Sequence, residues 1–156
     1  MKDPGGVIAE RDALNNLGRL LHGLLGPGDE RVGYIANVTA STNEQRIHIF
    51  NPDGRFSSPD GAFNDAAGSY ELSRAMKELR MAAYKPGLGT WFSIKMVVTA
   101  AGSASAEYNY DDEPEWDFPV GGAAYVRDQE KYHRSEDMIL GWLKQKLQEG
   151  RAQAGG

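Results

Sequence analysis

Cysteine is missing from this chain altogether, so neither a disulfide framework nor a thiolate metal site can organise it. A fold without them must rest on a hydrophobic core, and 156 residues are enough to bury roughly two thirds of the unfolded surface. Long apolar runs are missing too, which excludes a helix that spans a membrane. The opening Met1-Lys2-Asp3-Pro4-Gly5-Gly6 has one basic residue and leads into no apolar segment of the signal-peptide kind. The expectation is a cytoplasmic protein of one domain over residues 1–156, flexible at 1–6 and 150–156.

Histidine is scarce. His22, His48 and His133 stand far apart, at no H-x-x-x-H or H-E-x-x-H spacing, and each reads as a surface or packing residue. No G-x-S-x-G elbow, P-loop or dinucleotide fingerprint occurs. Gly87-Leu88-Gly89 precedes a strand pattern, so no helix N-terminus follows to supply aligned amides for a phosphate. Basic residues form no concentrated cluster, which argues against direct binding of nucleic acid or an anionic membrane. No cofactor, metal or catalytic constellation is expected.

What the chain does have is a segment of carboxylates interleaved with aromatic rings, Tyr108-Asn109-Tyr110-Asp111-Asp112-Glu113-Pro114-Glu115-Trp116-Asp117-Phe118. With Glu107 it holds six acids and no base, which accounts for more than the whole formal net charge of −5. Crowded like charges carry a cost that an opposing positive surface relieves. Rings beside them offer contact area at little loss of side-chain entropy.

Periodicity places this segment in a fold. Leu14, Leu17, Leu21, Leu24 and Leu25 recur at helical spacing, predicting a helix from about Val7 to Leu25 that Gly26-Pro27-Gly28 ends. The period becomes two from Val32, with Tyr34, Ala36 and Val38 on one face. A turn at Ser41-Thr42-Asn43-Glu44 and a returning strand Arg46–Phe50 follow. Residues 51–68 read as a loop pinned by Phe56 and Phe63. Ser69 is placed to cap a second helix with Leu72, Met76, Leu79 and Ala83 as its stripe, stopped by Lys85-Pro86-Gly87. In the next hairpin Phe92, Ile94, Met96 and Val98 alternate with Trp91, Ser93, Lys95 and Val97. A turn at Ala101-Gly102-Ser103 leads to Ala104, Ala106, Tyr108 and Tyr110 on one face of the return strand. Ala123–Val126 reads as a further short strand, and Ser135 as the cap of a last helix with Glu136 and Asp137 in its first turn. Ile139, Trp142, Leu143 and Leu147 make that helix's buried face. The order α-β-β-α-β-β-(β)-α is an α+β domain, an antiparallel sheet of four or five strands with helices packed on it.

The acid run therefore starts where a strand ends, on a loop, a common place for function. Three readings of its carboxylates stand beside a solvated loop of no specific purpose. A general acid and base would need one carboxyl raised by burial, which a hydrophilic proline-containing loop does not favour. Calcium could use oxygens from Asp111, Glu113, Glu115 and Asp117, but the glycine and terminal glutamate of an EF-hand loop are missing. Partner binding accounts for the interleaved rings, and its candidate residues are Tyr110, Asp111, Asp112, Glu113, Glu115, Trp116 and Asp117. It requires that the carboxylates point outward while Trp116 and Phe118 anchor the loop.

Thr90-Trp91-Phe92-Ser93-Ile94, Gly102, Tyr108-Asn109-Tyr110-Asp111, the stretch Asp128-Gln129-Glu130-Lys131-Tyr132-His133-Arg134 and a terminal helix bearing Trp142-Leu143 together resemble the YezG-like immunity proteins of bacterial polymorphic toxin systems. The likeness covers about residues 70 to 148. Gly141 stands where a proline is more typical of that family, and 114–122 is individual to this chain. The resemblance implies a small cytoplasmic protein that catalyses nothing and blocks a cognate toxin domain, often a nuclease with a basic cleft. Without it, a binding domain unrelated to toxins and a carboxylate-based metal enzyme remain alternatives.

Overall fold

A computed structural model describes residues 6–52 and 69–155, with the side chains of Ser69, Ala154 and Gly155 not described. Residues 1–5 of the expected flexible start, the Ser69 side chain expected as a cap, and residues 53–68 of the 51–68 loop, with Phe56 and Phe63, lie outside the described residues. Four strands form one antiparallel sheet in the order β2-β1-β3-β4, from β1 (Arg31–Val38), β2 (Asn43–Phe50), β3 (Ser93–Thr99) and β4 (Ala104–Asn109). Two hairpins thus lie side by side through their first strands, with α2 (Ser69–Ala83) joining them and α1 (Val7–His22) preceding both. The chain is an α+β fold.

The period-two alternation decides which face is covered. Val32, Tyr34, Ala36 and Val38 of β1 and Ile94, Met96 and Val98 of β3 are buried against Leu17 and Leu21 of α1 and Leu72, Met76 and Leu79 of α2. The other face, with Ile35, Arg46, Lys95 and Glu107, is left uncovered by α1 and α2. Alternation fails at the start of β3. Trp91 belongs to the main core, whereas Phe92 turns into a second cluster with Tyr125, Leu143 and Leu147. The cause is a local backbone switch: the Phe92 amide donates to Asn109 O while its carbonyl accepts from Val38.

The second cluster corrects the sequence reading of the C-terminal third. Residues 123–126 are no strand; they lie in α3 (Gly122–Lys131), whose buried Gly122, Tyr125 and Asp128 fall at helical spacing. Four apolar residues matched either period, and the polar run from Arg127 to Lys131 continues the helix. Ser135 caps no long helix. It precedes a single 3₁₀ turn (Glu136–Met138), its hydroxyl donates to Gly87 O, and the chain extends through Ile139 before α4 (Gly141–Gly155) begins. α4 carries the chain on past Gly150, which is buried against Gly122, and a Cβ on either would strike the other helix's backbone.

Two buried arginines tie this helical pair to the sheet. Arg80 of α2 donates to both carboxylate oxygens of Asp128 on α3, at 2.5 and 2.9 Å, and to Trp91 O at 2.7 Å. Asp128 in turn accepts from Ala40 N, just beyond β1. Arg134 lies against the Phe92 ring and spends its guanidinium on the carbonyls of Thr90, Tyr110 and Met138.

Candidate functional site

Asn109, the last residue of β4, begins the acidic loop by folding it back on itself. Its Oδ1 accepts from the amides of Asp111 and Asp112, and its Nδ2 donates to Asp112 O at 2.8 Å. Three other parts of the chain then take hold of the loop's carbonyls. Arg134 donates to Tyr110 O, the Trp142 indole on α4 to Asp111 O, both at 2.7 Å, and Asn37 on β1 to Glu115 O at 3.0 Å. At the far end the Asp117 amide donates to the Glu44 carboxylate of β2. Pro114 is buried beneath the middle.

With its backbone held from inside, the loop turns its acids out. Asp111, Asp112, Glu113, Glu115 and Asp117 are all exposed. The rings divide the work. Trp116 is half-buried and donates its indole N–H to Tyr125 OH at 3.0 Å, whereas Phe118, stacked on Trp116, is 42% exposed. Tyr110 is 37% exposed beside Tyr108, which packs on Trp91. Asp117 differs from the other acids, because the Arg46 guanidinium of β2 pairs with both its oxygens. That pairing, with Glu44 and Glu115 nearby, raises the arginine's pKa further.

A groove of about 450 Å³ runs between the loop and the uncovered face of the sheet. Ile35 and Ser93 form its floor, and Glu107, Asp112, Glu113 and Glu115 share its walls with Arg46 and Lys95. Burial lifts Tyr108 at its margin to about 12. It lowers Arg134 behind the loop, where Asp111 and Asp128 oppose the shift. Among the described residues, no group of three or more His, Asp or Glu side chains converges as metal ligands. His22 meets Ala100 O, and His133 meets Gln129. No described helix is long and apolar enough to cross a membrane.

The seven residues singled out in sequence do gather on one loop. Sequence reasoning missed the residues that hold it: Asn37, Glu44, Arg46, Arg134 and Trp142. Only a local signal was available for Asn109, an Asx residue two and three positions before Asp111 and Asp112. The remaining contacts span 24 to 78 positions in sequence. No family model matches the chain, and no curated protein matches it either.

Proposed function

We propose that this chain is an immunity-type inhibitor, a non-catalytic cytoplasmic protein that docks one toxin domain through the rim of the acidic loop. The observation that carries the reading is the separation of roles within the loop. Its carbonyls and Trp116 are fixed by the body of the protein, while the carboxylates of Asp111, Asp112, Glu113 and Glu115 stand exposed and, among the described residues, none of them closes an ion pair as Asp117 does with Arg46. A surface ordered before binding loses less entropy on association. Its dense negative charge steers encounter with a positive cleft and penalises other partners. A toxin that handles a polyanion, such as a nuclease, has such a cleft, and the sequence resemblance points the same way. Direct nucleic-acid binding by this chain is no part of the reading, since that rim would repel phosphate.

The test is association with the toxin domain encoded beside this gene. Asp111, Asp112, Glu113 and Glu115 are changed together to their amides, and Asp117 is kept because it positions the loop through Arg46. Association should slow by roughly tenfold or more at low salt and lose most of its salt dependence, with dissociation changed less. Unchanged association, affinity and cellular protection would remove the loop from the interface. Failure of the unaltered chain to bind or protect against the neighbouring product would remove the immunity reading.

A further inference from the structure

We propose that the outer edge of β4 is a self-association surface, on which a second copy of this chain adds its own β4 antiparallel to make one continuous sheet. The direction of the amides decides which backbone groups of β4 face outward. Val38 N–H donates to Phe92 O, and Thr99 N–H donates to Ser103 O. With the register of β3 and β4, this parity turns Ser105, Glu107 and Asn109 toward β3. Ala104, Ala106 and Tyr108 therefore point their N–H and C=O groups out of the sheet, and no described strand lies on that side.

Edges are ordinarily blunted by proline, lysine, bulges or inward charges. β4 has no proline or lysine, and its single charge, Glu107, stands on the uncovered face. Beneath it, Ala104 and Ala106 are too small to close the core against α1. A groove of about 360 Å³ remains there, lined by Leu14, Gly18, Met96, Val98 and the two alanines, with Arg19 and His22 at the Gly102 end.

Charge and size select a second copy. α1 runs opposite to β4: His22 sits at Ala100, while Glu10 near the other end acts on both Tyr108 and Tyr110. A two-fold axis at Ala106 brings the Arg19 and His22 end of one copy toward the Glu10 end of the other. It sets the second copy's Tyr108 beside Ala104, where its ring covers the open groove, and Ser105 opposite Glu107. An axis at Glu107 would instead set like charges face to face. The two acidic loops emerge at opposite ends of the junction, so self-association leaves both free.

Sedimentation equilibrium of the full chain should give twice the chain mass. Ala106→Pro removes an amide that β3 does not use, and should give a monomer with unchanged far-UV circular dichroism. Arg19→Glu should weaken the dimer by roughly tenfold, and adding Glu10→Arg should restore it, as expected of paired charges across a symmetric junction. A wild type that stays monomeric at the highest attainable concentration overturns the proposal and leaves the edge to an extended segment of another protein. A folded Ala106→Pro dimer also overturns it. If Ala106→Pro does not fold, the charge pair decides: rescue upholds the junction, and indifference to both changes overturns it.

Discussion

Arg80, Asp128 and Arg134 show two ways of keeping a guanidinium inside a protein. Arg80 and Asp128 are 1% and 6% exposed, and their mutual bonds are completed by Trp91 O on one side and Ala40 N on the other. A charge taken from water is tolerable only when its hydrogen-bonding capacity is met in this way. Arg134 has carbonyls where Arg80 has a carboxylate, and burial lowers its pKa. Removing one partner of the pair leaves the other charged and dry. Asp128→Ala should therefore cost about 3–5 kcal/mol in urea unfolding. Asp128→Asn, which can still accept from Ala40, should cost less. A loss below about 1 kcal/mol in the alanine variant would mean that water reaches the guanidinium and the pair is not sealed.

At the scale of elements, α3 and α4 depend on the absence of a side chain at their crossing. A Cβ on Gly122 would collide with Lys146 O and the Gly150 backbone, and one on Gly150 with the Gly122 carbonyl. Gly150→Ala should push the helices apart and cost about 1–3 kcal/mol as overpacking, despite alanine's better helix propensity. Gly141, at the start of α4 with nothing within 4 Å of a Cβ, is the control. Gly141→Ala should be neutral or slightly stabilising, and equal losses at both positions would show that helix ends rather than the crossing set the cost.

The same two helices mark where sequence stops being legible. α1, α2 and both hairpins were readable because each has a long apolar face of one period, from Leu14 to Leu25 or from Val32 to Val38. α3 buries little besides Tyr125 and Asp128, so its residues 123–126 suited a strand as well as a helix. Ser135 had the chemistry of a cap, but a tertiary acceptor, Gly87 O, engaged it instead. The acidic loop was visible as composition. Its orientation was not, since it depends on Asn37, Arg134 and Trp142, each brought from a distant element.

At the scale of the whole molecule, burial of tyrosines sets an alkaline limit on the fold. Tyr34, Tyr108, Tyr110, Tyr125 and Tyr132 all have raised pKa values, with desolvation the largest cause in each. Tyr34 and Tyr125 are the most buried, and the Tyr34 hydroxyl donates to Gln45 across the β1–β2 hairpin. Tyr108 stands at about 12 against an ordinary 10.0. Above pH 10 an unfolded chain has released these protons while the native state still holds them, so the unfolded state binds fewer protons and stability falls as pH rises. The stabilisation is complete below about pH 10 and, for Tyr108, is lost by about pH 12. Thermal unfolding followed from pH 8 upward should give a Tm that begins to fall near pH 10, as phenolate absorbance lags behind that of free tyrosine. Lysines lose charge over the same range, so the assignment rests on Tyr108→Phe, which keeps the ring against Trp91 and removes the titrating group. That variant should lose less stability between pH 10 and 12 than the wild type, and identical alkaline profiles for the two would exclude Tyr108 as a source of the limit.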